Sequence, residues 1–435
     1  MTDLQTLARE SGTTFLLALF VDLRGKPCAK LVPVEAVDEL ATNGVGFAGY
    51  AVGAIGQEPK DPDLMAIPDP TSFTPVPFVK PGLAIVHCDP HVEGKPWPFA
   101  PRVILRAALE RAAARGLTPY VGAEVEYFLV RRDETGALTP SDPRDTAAQP
   151  CYDARGVTRM YDHLTSISTA MNALGWGNYA NDHEDGNGQF EQNFEYAEAL
   201  VTADRVITLR YLLSVLAEER GMTATFMPKP FGDRTGTGLH LHISLADEGG
   251  NVFPDAEDER ALGLSPLAYS FVAGLIDHAC GLQSLIAPTV NSYKRTGAVS
   301  TASGATWSPK QATYGGNDRT HYVRVPDGQR VELRGGDGSA NPYLAIAGAL
   351  AAGLDGIERN LDPGDPGTGE TKSDPLPLTL LHAVEALEAD EVMTGVLDGA
   401  GPGVASYFAD LKRQEFFTWH SQVSPWEVDT YLTAF

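Results

Sequence analysis

Cysteine is scarce and scattered. Cys28, Cys88, Cys151 and Cys280 form no CxxC pair, which argues against a zinc cluster or disulfide framework and for reduced thiols in a core. No apolar run is long enough to cross a bilayer. The run Phe15 to Val21 follows Asp3 and Glu10 and lacks the basic start and small-residue cleavage site of a signal peptide. A soluble, cytoplasmic protein with no membrane role is expected. Positive charge is also short: 33 Lys and Arg face 57 Asp and Glu, for a formal charge of −24. Such a surface repels a phosphate backbone, so nucleic acid is not an expected partner, and an anionic ligand needs a local basic cluster. Neither a GxxxxGK[ST] loop nor a GxGxxG turn occurs, so any nucleotide must be held by other means.

What is present suits a large folded chain. Its 435 residues are 43% hydrophobic and 21% charged, enough for two domains with a sizeable core. Short β-like runs at Thr14 to Val21 and Leu83 to His87 lie between Gly/Pro-rich turns, suggesting a small β-rich domain over residues 1–100. From residue 101 to 435 helix and strand alternate. Helical periodicity marks Val103 to Arg115, Val157 to Leu174, Ala197 to Arg220, Pro266 to Leu285 and Pro342 to Asn360, whereas Tyr120 to Val130, Leu239 to Leu245 and Arg330 to Arg334 read as strands. Asp362 to Asp374 reads as a surface loop, and the remainder as helical.

Three of these strands carry chemistry on one face. In VGAEVEYFLV, strand alternation places Glu124 and Glu126 on the same side, about 7 Å apart. In LHLHISL the leucines and isoleucine point one way, and His240, His242 and Ser244 the other. In RVELR the polar side holds Arg330, Glu332 and Arg334. Each could be an ordinary solvent face or ion-paired edge. The segment HEDGNGQFEQNF adds Glu184 and Glu191 at the ends of a Gly-rich turn able to fold back on itself. Together these give five carboxylates and one imidazole, a set that suits Mg²⁺ or Mn²⁺ better than structural zinc. Lys294, Arg295, Arg319, Arg324, Arg330 and Arg334 form the one basic cluster, and arginine forks fit phosphate and carboxylate oxygens. Phosphoryl transfer outside the P-loop fold is the chemistry indicated.

In order, AEVEYF, HEDGNGQFE, GTGLHLHIS, NSYKR, GGNDRTHYVRVP, RVELR and SANPYL resemble the signature segments of glutamine synthetases, from about Phe15 to the C-terminus. TASGATWSP and GGNDRTH are most similar to the γ-glutamylmethylamide synthetase and type III branch. The resemblance implies an α+β chain with an N-terminal β-grasp domain and a catalytic domain built on a curved antiparallel sheet flanked by helices. It also implies a dodecamer of two hexameric rings with active sites between subunits. Its substrates would be glutamate, ATP and a small amine, with two to three Mg²⁺ or Mn²⁺ ions per site. Carried over by position, Glu126, Glu184 and Glu191 would hold the first ion, and Glu124, His240 and Glu332 the second. Arg295 and Arg334 would grip the glutamate α-carboxylate, and Gly236 would meet its amino group. Arg319 would meet the transferred phosphoryl, Arg324 and Arg330 the nucleotide, with His242 and Ser244 along the ATP channel. Glu126, Arg295 and Arg319 are the implied catalytic residues.

The sequence departs from the family where ammonium is normally bound. Phe47-Ala48-Gly49-Tyr50 stands in place of a motif carrying an aspartate, and Thr301 in place of a flap glutamate, with no acid from Thr296 to Gly316. Losing two charge-assisted contacts of roughly 1.5–3 kcal/mol each disfavours ammonium, and burying a methyl group returns about 0.8 kcal/mol. Methylamine is the expected acceptor, unless another acid substitutes. Thr235 replaces the usual asparagine beside Gly236. The alternatives are an ammonia-using enzyme, a ligase for other alkylamines or polyamines, and a catalytically inert structural relative, against which the intact ligand set argues.

Overall fold

The computed structural model describes residues 3–296, 307–367 and 375–435. Among these, strands gather into two sheets with helices packed around them, an α+β architecture. The smaller, seven-stranded sheet runs Pro27–Pro33, Phe15–Val21, Leu83–Val92, Leu64–Pro68, Val45–Phe47, with Phe15–Val21 parallel to Leu83–Val92 and its other pairings antiparallel. Its central strands Phe15–Val21 and Leu83–Val92 are hydrophobic because both faces are covered, with Leu16, Ala18, Phe20, Leu64 and Val86 filling one side and Leu19, Val21 and Ile85 the other.

The second sheet has eleven strands, in the order Ala180–His183, Gln189–Asn193, Thr118–Arg132, Leu239–Asp247, Val331–Leu333, Val323–Arg324, Tyr314–Gly315, with four short strands off this path. Thr118–Arg132 is its spine, paired antiparallel with five neighbours. One face of the sheet packs on the helices Ala199–Glu218 and Pro342–Glu358 in a single large core. The other face is left for the polar residues. SANPYL is a helix start: Asn341 caps through its side chain, accepting from the Tyr343 N–H, and Pro342 takes the first turn.

Arg102, in the first turn of Pro101–Ala113, ties the smaller sheet to this helical layer. Its buried guanidinium meets Asp69 and Asp89 on one side and Asp204 on the other, at 2.7, 2.7 and 2.9 Å. Tyr343 donates to the same Asp204 at 2.6 Å.

Two expected helices are broken. Val157 to Leu174 divides into Ala154–Arg159 and Tyr161–Ala173 at Met160, and Pro266 to Leu285 divides into Pro266–Asp277 and Ala279–Ile286 at His278. At His278 the backbone leaves the helical region, and there the imidazole is clamped between Asp390 (2.8 Å), at the junction of two later helices, and Asp355 (2.9 Å) on the helix Pro342–Glu358. The helix expected from Ala197 starts at Ala199, since Ala197–Glu198 pairs with the sheet, and the Arg330 to Arg334 strand shortens to Val331–Leu333. Cys88 is buried, but Cys28, Cys151 and Cys280 are only half-buried, so the expectation of four core thiols holds for one. Part of the Asp362 to Asp374 loop lies outside the described residues.

The clamp on His278 has a measurable consequence. Burial opposes its charge, but the hydrogen bonds the imidazole donates to Asp390 and Asp355 outweigh this and raise its pKa above the ordinary 6.5. The stabilisation is therefore complete below pH 6.5 and disappears as pH rises through the raised value. Urea unfolding of wild type and His278→Gln should differ by about 2 kcal/mol near pH 6 and converge toward pH 9. A constant gap would show that the imidazole contributes only packing.

Candidate active site

The polar face of the large sheet is organised in rungs. Asp182 lies opposite Glu191, and Glu191 opposite Glu126; Asn193 lies opposite Glu124, and Glu124 opposite His240; His242 lies opposite Glu332, and Glu332 opposite Arg324. Since a strand alternates every residue, this register alone brings residues from distant parts of the chain to one surface. The surface floors a cavity of about 860 Å³, walled by Glu184, Arg295, Arg319 and Arg334 among others. A neighbouring cavity of about 450 Å³ shares Glu124 and Tyr179 with it and is lined by His242, Ser244, Arg330, Tyr120 and Tyr196.

Side-chain contacts fix individual atoms. Glu126 Oε2 accepts from the Gly238 N–H at 2.6 Å and from Gln189 Nε2 at 2.8 Å, leaving Oε1 at 4.0 Å from His240 Nδ1. Glu124 spans both histidines, with Oε2 at 2.9 Å from His240 Nδ1 and Oε1 at 2.8 Å from His242 Nε2. Because Arg330 Nε donates to His242 Nδ1 at 3.0 Å, the proton on His242 must sit on Nε2, facing Glu124. Glu332, fully buried, is held by Arg324 at 2.6 Å and by Arg334. The glycine spacing in GTGLH is also explained: a Cβ at Gly236 would meet Arg295 Cγ at 2.6 Å, and one at Gly238 would meet Glu126 Oε1 and His240 Nε2 at 2.8 Å.

Electrostatically the floor divides in two. Burial works against ionising Glu124 and Glu332, but His240 and His242 hold Glu124 well below the usual carboxylate range, and His240 and Arg334 hold Glu332 below it. Across the floor the balance reverses. Burial, reinforced by neighbouring acids, raises Glu184 and Glu191 well above the usual range and Asp182 to about 6. Crowded carboxyls with no salt-bridge partner among the described residues are suited to an added cation. Ligand-capable atoms converge within 4.8 Å in three groups here: Glu124, His240 and Glu332; Glu126, Glu191 and His240; and Asp182, Glu184 and Glu191. Their oxygen-rich donor sets fit Mg²⁺ or Mn²⁺.

Of the site residues expected from the sequence, Glu124, Glu126, Glu184, Glu191, Gly236, His240, Arg295, Arg319 and Arg334 line the larger cavity, and His242, Ser244 and Arg330 line the smaller one. Glu191 joins two of the three groups, and Asp182 enters one with Glu184, so the expected triad Glu126, Glu184 and Glu191 is spread over a wider patch. Glu332 and Arg324 line neither cavity; they are paired with each other behind the surface, Glu332 also meeting Arg334. The sequence reading missed Asp182, Asp185, Gln189, Asn193, Tyr152, Tyr179 and Trp307 on the walls. Hairpin arithmetic around the Gly-rich turn signals Asp182; the wall residues from loops have no periodic signal. Ala48 is exposed and is not on the lining of its own chain's cavity. Thr301 lies outside the described residues.

Residues 98–431 match the family described as glutamine synthetase, catalytic domain. A glutamate–methylamine ligase of Methyloversatilis universalis is 42% identical over 443 residues, covering 99% of both chains. A glutamine synthetase of Rhizobium leguminosarum bv. phaseoli is 43% identical over 438 residues, again covering 99% of both. Two solved structures, described as "GmaS/ADP complex-Conformation 1" and "Apo GmaS without ligand", superpose with TM-scores of 0.93 and 0.91 at 50% and 48% identity. The first covers 99% of this chain and 100% of its own, and the second covers 100% of both.

Proposed function

Because the chain belongs to the glutamine synthetase family, we propose that it is an ATP-dependent ligase joining the γ-carboxylate of glutamate to methylamine through γ-glutamyl phosphate. In this reading residues 1–100 form the N-terminal domain and 101–435 the catalytic one. Overall identity does not choose the acceptor, since the methylamine ligase and the glutamine synthetase stand at 42% and 43%. The observation that carries the choice is local: Ala48 stands where the family keeps an acid for ammonium.

Glu124, Glu126, Glu184, Glu191, His240 and Glu332 would hold the divalent ions, with Asp182 beside them. Bound there, such ions supply positive charge to the phosphate oxygens and the γ-carboxylate. The chain's own residues do the rest. Arg295 and Arg334 clamp the α-carboxylate, and Gly236 leaves room for the amino group. Arg330, with His242 and Ser244, lines the nucleotide side, Arg324 would serve the nucleotide from behind them, and Arg319 neutralises charge on the γ-phosphoryl as the glutamate carboxylate attacks it. The resulting acyl phosphate has a good leaving group. An uncharged amine then attacks the acyl carbon and phosphate departs. Support for Asp182 as the group that relieves methylammonium of its proton comes from its place on the cavity wall. We further propose that Ala48 faces a neighbouring subunit's site in a dodecameric ring assembly, consistent with its exposure and its distance from its own cavity.

The test is ADP release with glutamate and ATP against a panel of amines. Wild type should favour methylamine over ammonia in kcat/KM. Ala48→Asp with Thr301→Glu should move that ratio toward ammonia by roughly tenfold if each regained contact contributes about 0.7 kcal/mol. A wild type using ammonia at least as well as methylamine would make glutamine synthetase the correct activity.

A further inference from the structure

A buried pair, His183 and Asp145, lies next to the carboxyl-rich half of the floor, at residues to which the reaction assigns no role. His183 is fully buried and ends the strand Ala180–His183, immediately before Glu184. Its Nδ1 is 2.8 Å from the backbone carbonyl of Glu184 and its Nε2 is 2.7 Å from Asp145 Oδ2. A carbonyl only accepts, so Nδ1 carries a proton, and the remaining nitrogen faces a carboxylate. The ring is wedged in place: it lies 4.8 Å from the Phe190 ring, and a Cβ on Gly156 would meet its Cδ2 at 2.4 Å.

Asp145, also buried, holds the other end of the same turn. Its Oδ2 accepts the Gly188 N–H at 2.6 Å, and its Oδ1 accepts from Asn187 Nδ2 at 3.2 Å. One carboxylate thus fastens both arms of the turn that carries Glu184 on one side and Glu191 on the other. Those arms carry like charges. Asp182, Glu184 and Glu191 place ligand-capable oxygens within 4.8 Å of one another, and with no cation between them their repulsion pushes the arms apart.

We infer that the Asp145–His183 pair is a strap that holds the turn closed against this repulsion, so that Glu184 and Glu191 meet an arriving divalent ion already in place. The inference rests on the reading that these two glutamates bind metal. Asp145 touches neither ion nor substrate; it is a positioning residue, and its effect falls on metal affinity more than on the chemical step. Outer-shell partners of this kind typically change metal affinity by 10–100-fold.

The experiment is Mn²⁺ binding to the metal-free full-length enzyme, followed by the loss of the free-ion electron paramagnetic resonance signal. Wild type, Asp145→Asn and Glu184→Gln are compared. Asp145→Asn should weaken the tighter Mn²⁺ class by roughly tenfold or more, raise the Mn²⁺ concentration for half-maximal turnover in parallel, and leave the ATP KM unchanged. An Asp145→Asn isotherm that overlays wild type overturns the strap, whatever happens to melting temperature. Glu184→Gln separates the two ideas: if it binds Mn²⁺ like wild type, the metal reading itself fails and the strap with it. Should Asp145→Asn not fold, His183→Gln carries the same expectation and the same overturning result.

Discussion

Glu126→Ala enzyme is expected to lose amide formation by well over 100-fold while remaining folded. The carboxylate sits with one oxygen tethered by Gly238 and Gln189 and the other turned toward His240. Truncation removes that outward oxygen from the group it forms with Glu191 and His240, and leaves two inward donors without their acceptor. Loss of an outer-shell partner costs 10–100-fold in related sites, so direct loss of a ligand should exceed that range. ADP release with glutamate and methylamine at saturating Mg²⁺ measures the effect, and circular dichroism checks the fold. Near-normal turnover would remove Glu126 from the metal set.

The second large effect concerns Asp182. Positioned general bases contribute typically 10²–10⁴-fold, so Asp182→Asn should slow amide formation from methylamine by about 100-fold or more. The two half-reactions separate its possible roles. If Asp182 takes the amine's proton, a single-turnover burst of ADP, which reports γ-glutamyl phosphate formation, should survive, and activity should partly return at alkaline pH, where free amine is commoner. If the burst is lost as well, Asp182 belongs with Glu184 and Glu191 as a cation ligand and the proton goes elsewhere.

The legible part of this site is the part that strand periodicity encodes. Glu124, Glu126, His240, His242 and Glu332 could be placed on one face because a strand alternates every residue and their neighbours are apolar. Asp182 lies just before the motif, and its place opposite Glu191 depends on where the hairpin turns, which Gln189 fixes from within the motif and Asp145 from outside it. Gln149, Tyr152 and Trp307 come from irregular segments whose position is fixed by tertiary contacts alone. The same holds for the helix breaks. Apolar periodicity runs on through His278, and the break there coincides with a pairing of its imidazole to Asp355 and Asp390, distant in sequence, which leaves no local signal. The smaller β sheet was visible from its hydrophobic strands, whereas the Arg102 network that fastens it to the helices joins Asp69 to Asp204 across the sequence and has no local signature.

The pairing of Leu239–Asp247 with the spine strand has a consequence for biosynthesis. Glu124 and its hydrogen-bond partner His240 are 116 residues apart in the chain, and Glu332 follows later still. At roughly 5–20 residues per second of synthesis, the first carboxylates emerge ten seconds or more before the last. During that interval the nascent segment holds Glu124 and Glu126 without the imidazole, arginines or third strand that define a pocket, and loose carboxylates discriminate poorly between cations. Long-range strand pairing also delays closure, because the loop entropy is lost before the contacts form. The coordination geometry therefore does not exist until the far half of the polypeptide has been made and docked. In the proposed reading the pool surrounding the completed chain decides which ion binds first, and chelators added during translation should leave the yield of folded apoprotein unchanged.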